Sequence, residues 1–141
     1  NLFGFSNPAF YLFFIIIYRF DKSKFLLILL GFSLGLIIDL FQNSSGANTI
    51  ATLFISFIRP LMIRFSFGVN PDNISIFSMK SRIDSQVLYV ILMVIIHQFL
   101  IQFIAYFDVN LFVVIIRNTV MNSIFTFIII FATLNLLKKK D

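Results

Sequence analysis

The sequence contains no cysteine, and only 12% of its residues are charged. Without cysteine there is no disulfide framework, no thiolate metal site and no thiol catalysis. An ordinary soluble domain carries about 25% charged and roughly 45–50% apolar residues. This 141-residue chain is 60% apolar and holds 21 Phe, which excludes an ordinary soluble domain. HExxH, GxSxG and GxxxxGKS/T are all missing, as is any pair of intramembrane carboxylates for acid–base work. The chain is therefore not expected to be an enzyme or to hold a cofactor or metal.

The net charge is +5, from 11 Lys and Arg against 6 Asp and Glu. The bases do not line one face, as nucleic-acid binding would need. They cluster between apolar runs, in the manner of membrane topology signals. Five such runs stand out: 8–18 (PAFYLFFIIIY), 25–41, 47–67, 86–107 and 111–137. All but the first reach the roughly 17–25 residues that a helix needs to cross about 30 Å of hydrocarbon. The runs are continuous rather than alternating, which favours helices over a barrel. The expected fold is an all-α polytopic membrane protein, one domain over 1–141, with five transmembrane segments in a compact bundle.

Basic clusters follow the first, third and fifth runs, and none follows the second or fourth. The positive-inside rule then places the C-terminus in the cytoplasm and residue 1 outside. A chain that starts outside without a translocation signal implies a further helix upstream, for six in all. Between 69 and 85, ISIFSMKSRI mixes apolar and basic residues. That pattern suits either a surface amphipathic helix or plain loop.

Ionisable groups within a span need a partner or water. Asp39 is the only acid inside a run. Arg117 matches its depth, lying about 10 Å from the outer end of its run. The expectation is that these two pair, with Asp39 capped by the wet QNSSG turn as the alternative. Pro60, after Arg59, can kink the third run; either a neighbouring donor meets the carbonyl freed near Ser56, or the kink is tolerated and Arg59 snorkels to the inner headgroups alongside Arg64. Gln98 and Gln102, beside His97, form one polar stripe; Asn118 and Asn122 form another. Hydrogen bonds between those two helices are expected. Gly31 and Gly35 make a small-xxx-small pattern that permits close helix approach, within the chain or to a partner.

Residues 8–67 resemble the rod shape-determining protein MreD family of bacterial membrane proteins. The likeness rests on Asn7-Pro8 before a short helix and on GFSLGLIIDLF (31–41), similar to the family's Gly-x-x-x-Gly-Leu-x-x-Asp-Leu-Phe pattern. A small polar loop with Gly46 follows, then a helix ending in Arg59-Pro60. The resemblance implies a fold similar to the S-components of energy-coupling-factor transporters. It implies a scaffold in the cytoplasmic membrane that links an MreC-like bitopic protein and cytoskeletal filaments to the peptidoglycan synthases of the elongation complex. Gly31, Gly35, Asp39, Arg59, Pro60 and Arg117 are then structural or partner-interface residues. The rival function is a vitamin-binding membrane subunit of such a transporter.

Overall fold

The computed structural model describes residues 9–18, 23–68 and 82–138. The expectations for the stretch 1–8, the basic loop 19–22, the surface segment 69–81 and the tail 139–141 lie outside the described residues. The described chain is helical: α1 (Leu12–Ile17), α2 (Lys24–Gln42), α3 (Ala47–Phe67), α4 (Ile83–Tyr106) and α5 (Phe112–Lys138), with one 3₁₀ turn at Val109–Leu111.

Four of these helices, α2 to α5, are long and apolar enough to cross a membrane. At 1.5 Å per residue they measure about 28 to 40 Å, against a hydrocarbon core of about 30 Å. The helix within the first run is different. α1 has six residues, about 9 Å, and does not cross on its own.

Local chemistry sets the ends. The Ser23 hydroxyl accepts from Leu26 N and caps α2. Asn43 ends that helix in the left-handed region, and Gly68 ends α3 in the same way, with φ of 68°. α4 starts three residues ahead of its apolar run, with Asp84 in the first turn, where a carboxylate suits the exposed N–H groups. α3 continues through Pro60 to Phe67.

Each long helix packs on the next in the chain: α2 on α3, α3 on α4, α4 on α5. The pairs are antiparallel: Gly31 meets Ser56 while Gly35 meets Thr52, Arg59 meets Tyr89 while Asn48 and His97 both meet Tyr11, and the short 107–111 turn folds α5 back on α4. Lys24, Arg64, Arg82 and Lys138 therefore belong to one end of the bundle. The turns 43–46 and 107–111 belong to the other.

α1 lies inside this arrangement. Leu12, Ile15 and Ile16 are 0% exposed and pack with Ile55 and Ile63 of α3, Tyr89, Val90 and Met93 of α4, and Ile130 and Leu134 of α5. In lipid such contacts gain from close packing rather than from leaving water. α2 is the reverse case. It buries only Leu27, Gly31 and Gly35, one narrow stripe against α3, and exposes Phe25, Phe32, Leu36 and Phe41.

Candidate functional site

The polar residues gather into connected knots, and each knot joins helices. The first begins at Asp39 in the last turn of α2. Its Oδ1 accepts from Ser44 Oγ (2.5 Å), Asn48 N (3.0 Å) and Asn48 Nδ2 (3.0 Å). Its Oδ2 accepts from Thr49 N (2.7 Å) and Thr49 Oγ1 (2.5 Å). The first N–H groups of a helix have no partner inside it. Gly46, at the N-cap of α3, has no side chain to offer one. The carboxylate of the preceding helix takes that role, where negative charge also suits the helix dipole.

This corrects the expected Asp39–Arg117 pair. Both carboxylate oxygens are occupied by groups five to ten residues away. Arg117 is exposed on α5 and bonds no described residue. The reason is topological: α2 packs on α3 and α5 on α4, so equal depth does not bring the two residues together.

The knot continues inward through Asn48. Its amide nitrogen donates to Asp39 and to Ser44 Oγ (2.7 Å), and its oxygen accepts from the Tyr11 hydroxyl (2.6 Å). Tyr11 has spent its one proton there, so the contact with His97 Nε2 (3.3 Å) runs from the imidazole N–H to the tyrosine oxygen. The network thus assigns the His97 proton to Nε2. Nδ1 is left buried without a partner. His97, Tyr11 and Asn48 form a line of three donors that runs toward Asp39.

A second link lies on α4 and α5. Gln98 Nε2 donates to Thr126 Oγ1 (3.1 Å), which also accepts from Ala9 N ahead of α1 (3.2 Å). Asn118 Nδ2 donates to Tyr106 OH (2.9 Å). The expected bonds between these two helices form, though Thr126 and Tyr106 replace the partners that the stripes suggested. Asn122 is buried and Gln102 partly so.

The third knot is Arg59. It is 1% exposed, so it does not snorkel to headgroups. Its Nε donates to Tyr89 OH (3.0 Å). One terminal nitrogen donates to the carbonyls of Ile16 (3.2 Å) and Tyr18. These are carbonyls at the end of α1 that no further helical turn can satisfy. Arg59 is the C-terminal cap of a helix that ends inside the protein, and the neighbouring Pro60 is half-buried in a continuous α3.

Gly31 and Gly35 are used within the chain. A Cβ at Gly31 would fall on Ser56 Oγ. One at Gly35 would fall on Thr52 Oγ1 and lie 2.6 Å from Thr49 Cα and 2.8 Å from Asn48 O. The small residues of α3 sit directly against the small residues of α2. The glycine stripe is therefore not a free face for a partner.

Sequence reasoning missed Tyr11, Asn48, Thr49, Tyr89 and Thr126. Asn48 and Thr49 carried a readable signal, since a helix that follows Gly46 needs an outside acceptor for its first N–H groups. Among the described residues, no group of three His, Cys, Asp or Glu could hold a metal ion. The arrangement ties helices together. Comparison with family models, with curated proteins and with solved structures finds no match to this chain.

Proposed function

We propose that the protein is a non-catalytic membrane scaffold of the MreD type, acting in the elongation complex of a rod-shaped bacterium. The observation that carries this reading is the single knot formed by the motif behind the resemblance. Gly31, Gly35 and Asp39 all bind α2 to α3, the first two by close approach and the third by capping. A motif that builds a helix hairpin suits a protein whose work is to hold a shape. The centre of the bundle is filled by Leu12, Ile15 and Ile16 rather than left open for a vitamin, which favours the scaffold over the transporter subunit.

On this reading the basic end of the bundle faces the cytoplasm. A bitopic partner meets α2 on the stripe Phe25, Leu29, Phe32 and Leu36, which is exposed and turned away from α3. The test has two parts. Depleting the protein should round rod-shaped cells, and a single-span MreC-like protein should copurify in mild detergent. Replacing Phe32 and Leu36 with Ala should lower that copurification without loss of helicity. Rods that keep their shape, or a vitamin that raises the melting temperature of the purified chain, would refute the scaffold reading.

A further inference from the structure

Arg117 has the one charged side chain on an α5 face otherwise formed by Val120, Ile124 and Ile128, and all four are exposed. Residues 117, 124 and 128 lie on one stripe, because seven residues are almost two full turns. A guanidinium at that depth is costly unless it reaches water or an anion. Helical side chains lean toward the N-terminus of their helix. Arg117 therefore leans toward the 107–111 turn, the level of the phosphates in that leaflet, and no described residue engages it.

The facing stripe of α4 is built to match. Tyr106 and Ile95 are eleven residues apart, close to three turns, so they share a face. Tyr106 OH accepts from Asn118, next to Arg117, and its own proton has no acceptor among the described residues. Roughly 10 Å further along the axis from Arg117, a groove opens between the two helices. It is lined by Ile91, Val94 and Ile95 of α4 and by Ile124, Phe127, Ile128 and one polar residue, Ser123, of α5, with a volume of about 250 Å³. An apolar cavity of about 150 Å³ takes a benzene ring, so this one has room for a longer hydrocarbon segment. Asp108, in the turn toward which Arg117 leans, is engaged in its own loop, where Oδ1 accepts from Asn110 N (2.9 Å) and Nδ2 (3.0 Å).

We propose that the α4–α5 seam binds one anionic phospholipid, with its phosphate on Arg117 and Tyr106 and one acyl chain in the groove beneath. The charge chooses the headgroup, and the groove, about 10 Å further along the same stripe of α5, chooses the chain. Purified full-length protein in detergent is mixed with phosphatidylglycerol, with diacylglycerol of the same chains, or with glycerol 3-phosphate, and occupancy is read by native mass spectrometry. One phosphatidylglycerol should be retained in preference to either fragment. Arg117→Gln should lower its occupancy about tenfold, the usual weight of a charge-assisted bond. Ile124→Trp, which fills the groove, should do the same. Should Ile124→Trp not fold, Arg117→Gln decides alone, since Arg117 supports no described contact. Unchanged retention in Arg117→Gln, or equal binding of diacylglycerol, would overturn the site. Competition by glycerol 3-phosphate at the same concentration would also overturn it, by showing a headgroup site without the groove.

Discussion

Replacing Asp39 with Ala tests the claim that the carboxylate at the end of α2 caps the start of α3. The substitution removes the acceptor for two backbone N–H groups, those of Asn48 and Thr49, and for three side-chain donors. A lost helix cap costs about 0.5–2 kcal/mol, and a hydrogen bond to a charged group contributes about 1.5–3 kcal/mol when buried. Asp39 is only half-buried beside a polar turn, so water replaces part of what is lost. We expect a net loss of about 2–4 kcal/mol, below the plain sum of the five bonds. Asp39→Asn should fall between wild type and Asp39→Ala. It keeps one acceptor but turns an amide N–H₂ on one pair of donors. The assay is loss of helical circular dichroism as sodium dodecyl sulfate is titrated into mild-detergent micelles. In a double-mutant cycle, Thr49→Val should be nearly silent once Asp39 is Ala. A loss below about 0.5 kcal/mol, the usual range for a surface change, would refute the capping role. Rescue of Asp39→Arg by Arg117→Asp would refute it too, because it would restore the ion pair that the structure lacks.

Gly35→Leu should abolish folded protein in membranes, since the new side chain would start against the α3 backbone; fluorescence-detected gel filtration of a tagged chain would show it. Gly31→Ala should cost about 1–3 kcal/mol as an overpacked contact, and Ser56→Ala should recover most of that in the same titration, because the obstacle is the Ser56 hydroxyl. Tyr11→Phe should cost about 1–3 kcal/mol by leaving buried Asn48 and His97 atoms unpaired, again read as a shift in the detergent midpoint. Arg59→Met should cost about 1–3 kcal/mol, because the buried Ile16 carbonyl and Tyr89 hydroxyl lose their donor. It should also speed proteolysis near Tyr18, where α1 loses its cap.

The long helices were readable because lipid forces each backbone bond to close within its own segment, so an apolar run of sufficient length has one outcome. The same rule held a message in the first run that length alone did not convey. A segment too short to cross must have its end carbonyls met by another group, and Arg59 was the buried cation able to do so. Read alone, Arg59 suited a path to the headgroups. Asp39 was given Arg117 as its expected partner, with the polar turn as the alternative, and the structure has the turn side: Ser44, with Asn48 and Thr49 beyond it. Depth ranked Arg117 highest, while the actual donors lay just across the turn at Ser44, Asn48 and Thr49. Depth is legible from position along a run, but the neighbour relation between helices is not. Tyr11, Tyr89 and Thr126 stayed hidden for that reason, since aromatic and hydroxyl residues in apolar helices have many ordinary roles.

The bonds that hold α1 have a consequence for biogenesis. Its partners are Asn48, Arg59, His97 and Thr126, which lie from 37 to 117 residues later in the chain. A ribosome delivers this helix early and delivers what completes it in instalments, the last only when most of α5 has been made. A helix made ahead of all its partners is thus the last to reach its final surroundings, and until then a translocon, a chaperone or bound water must shelter its unpaired end carbonyls.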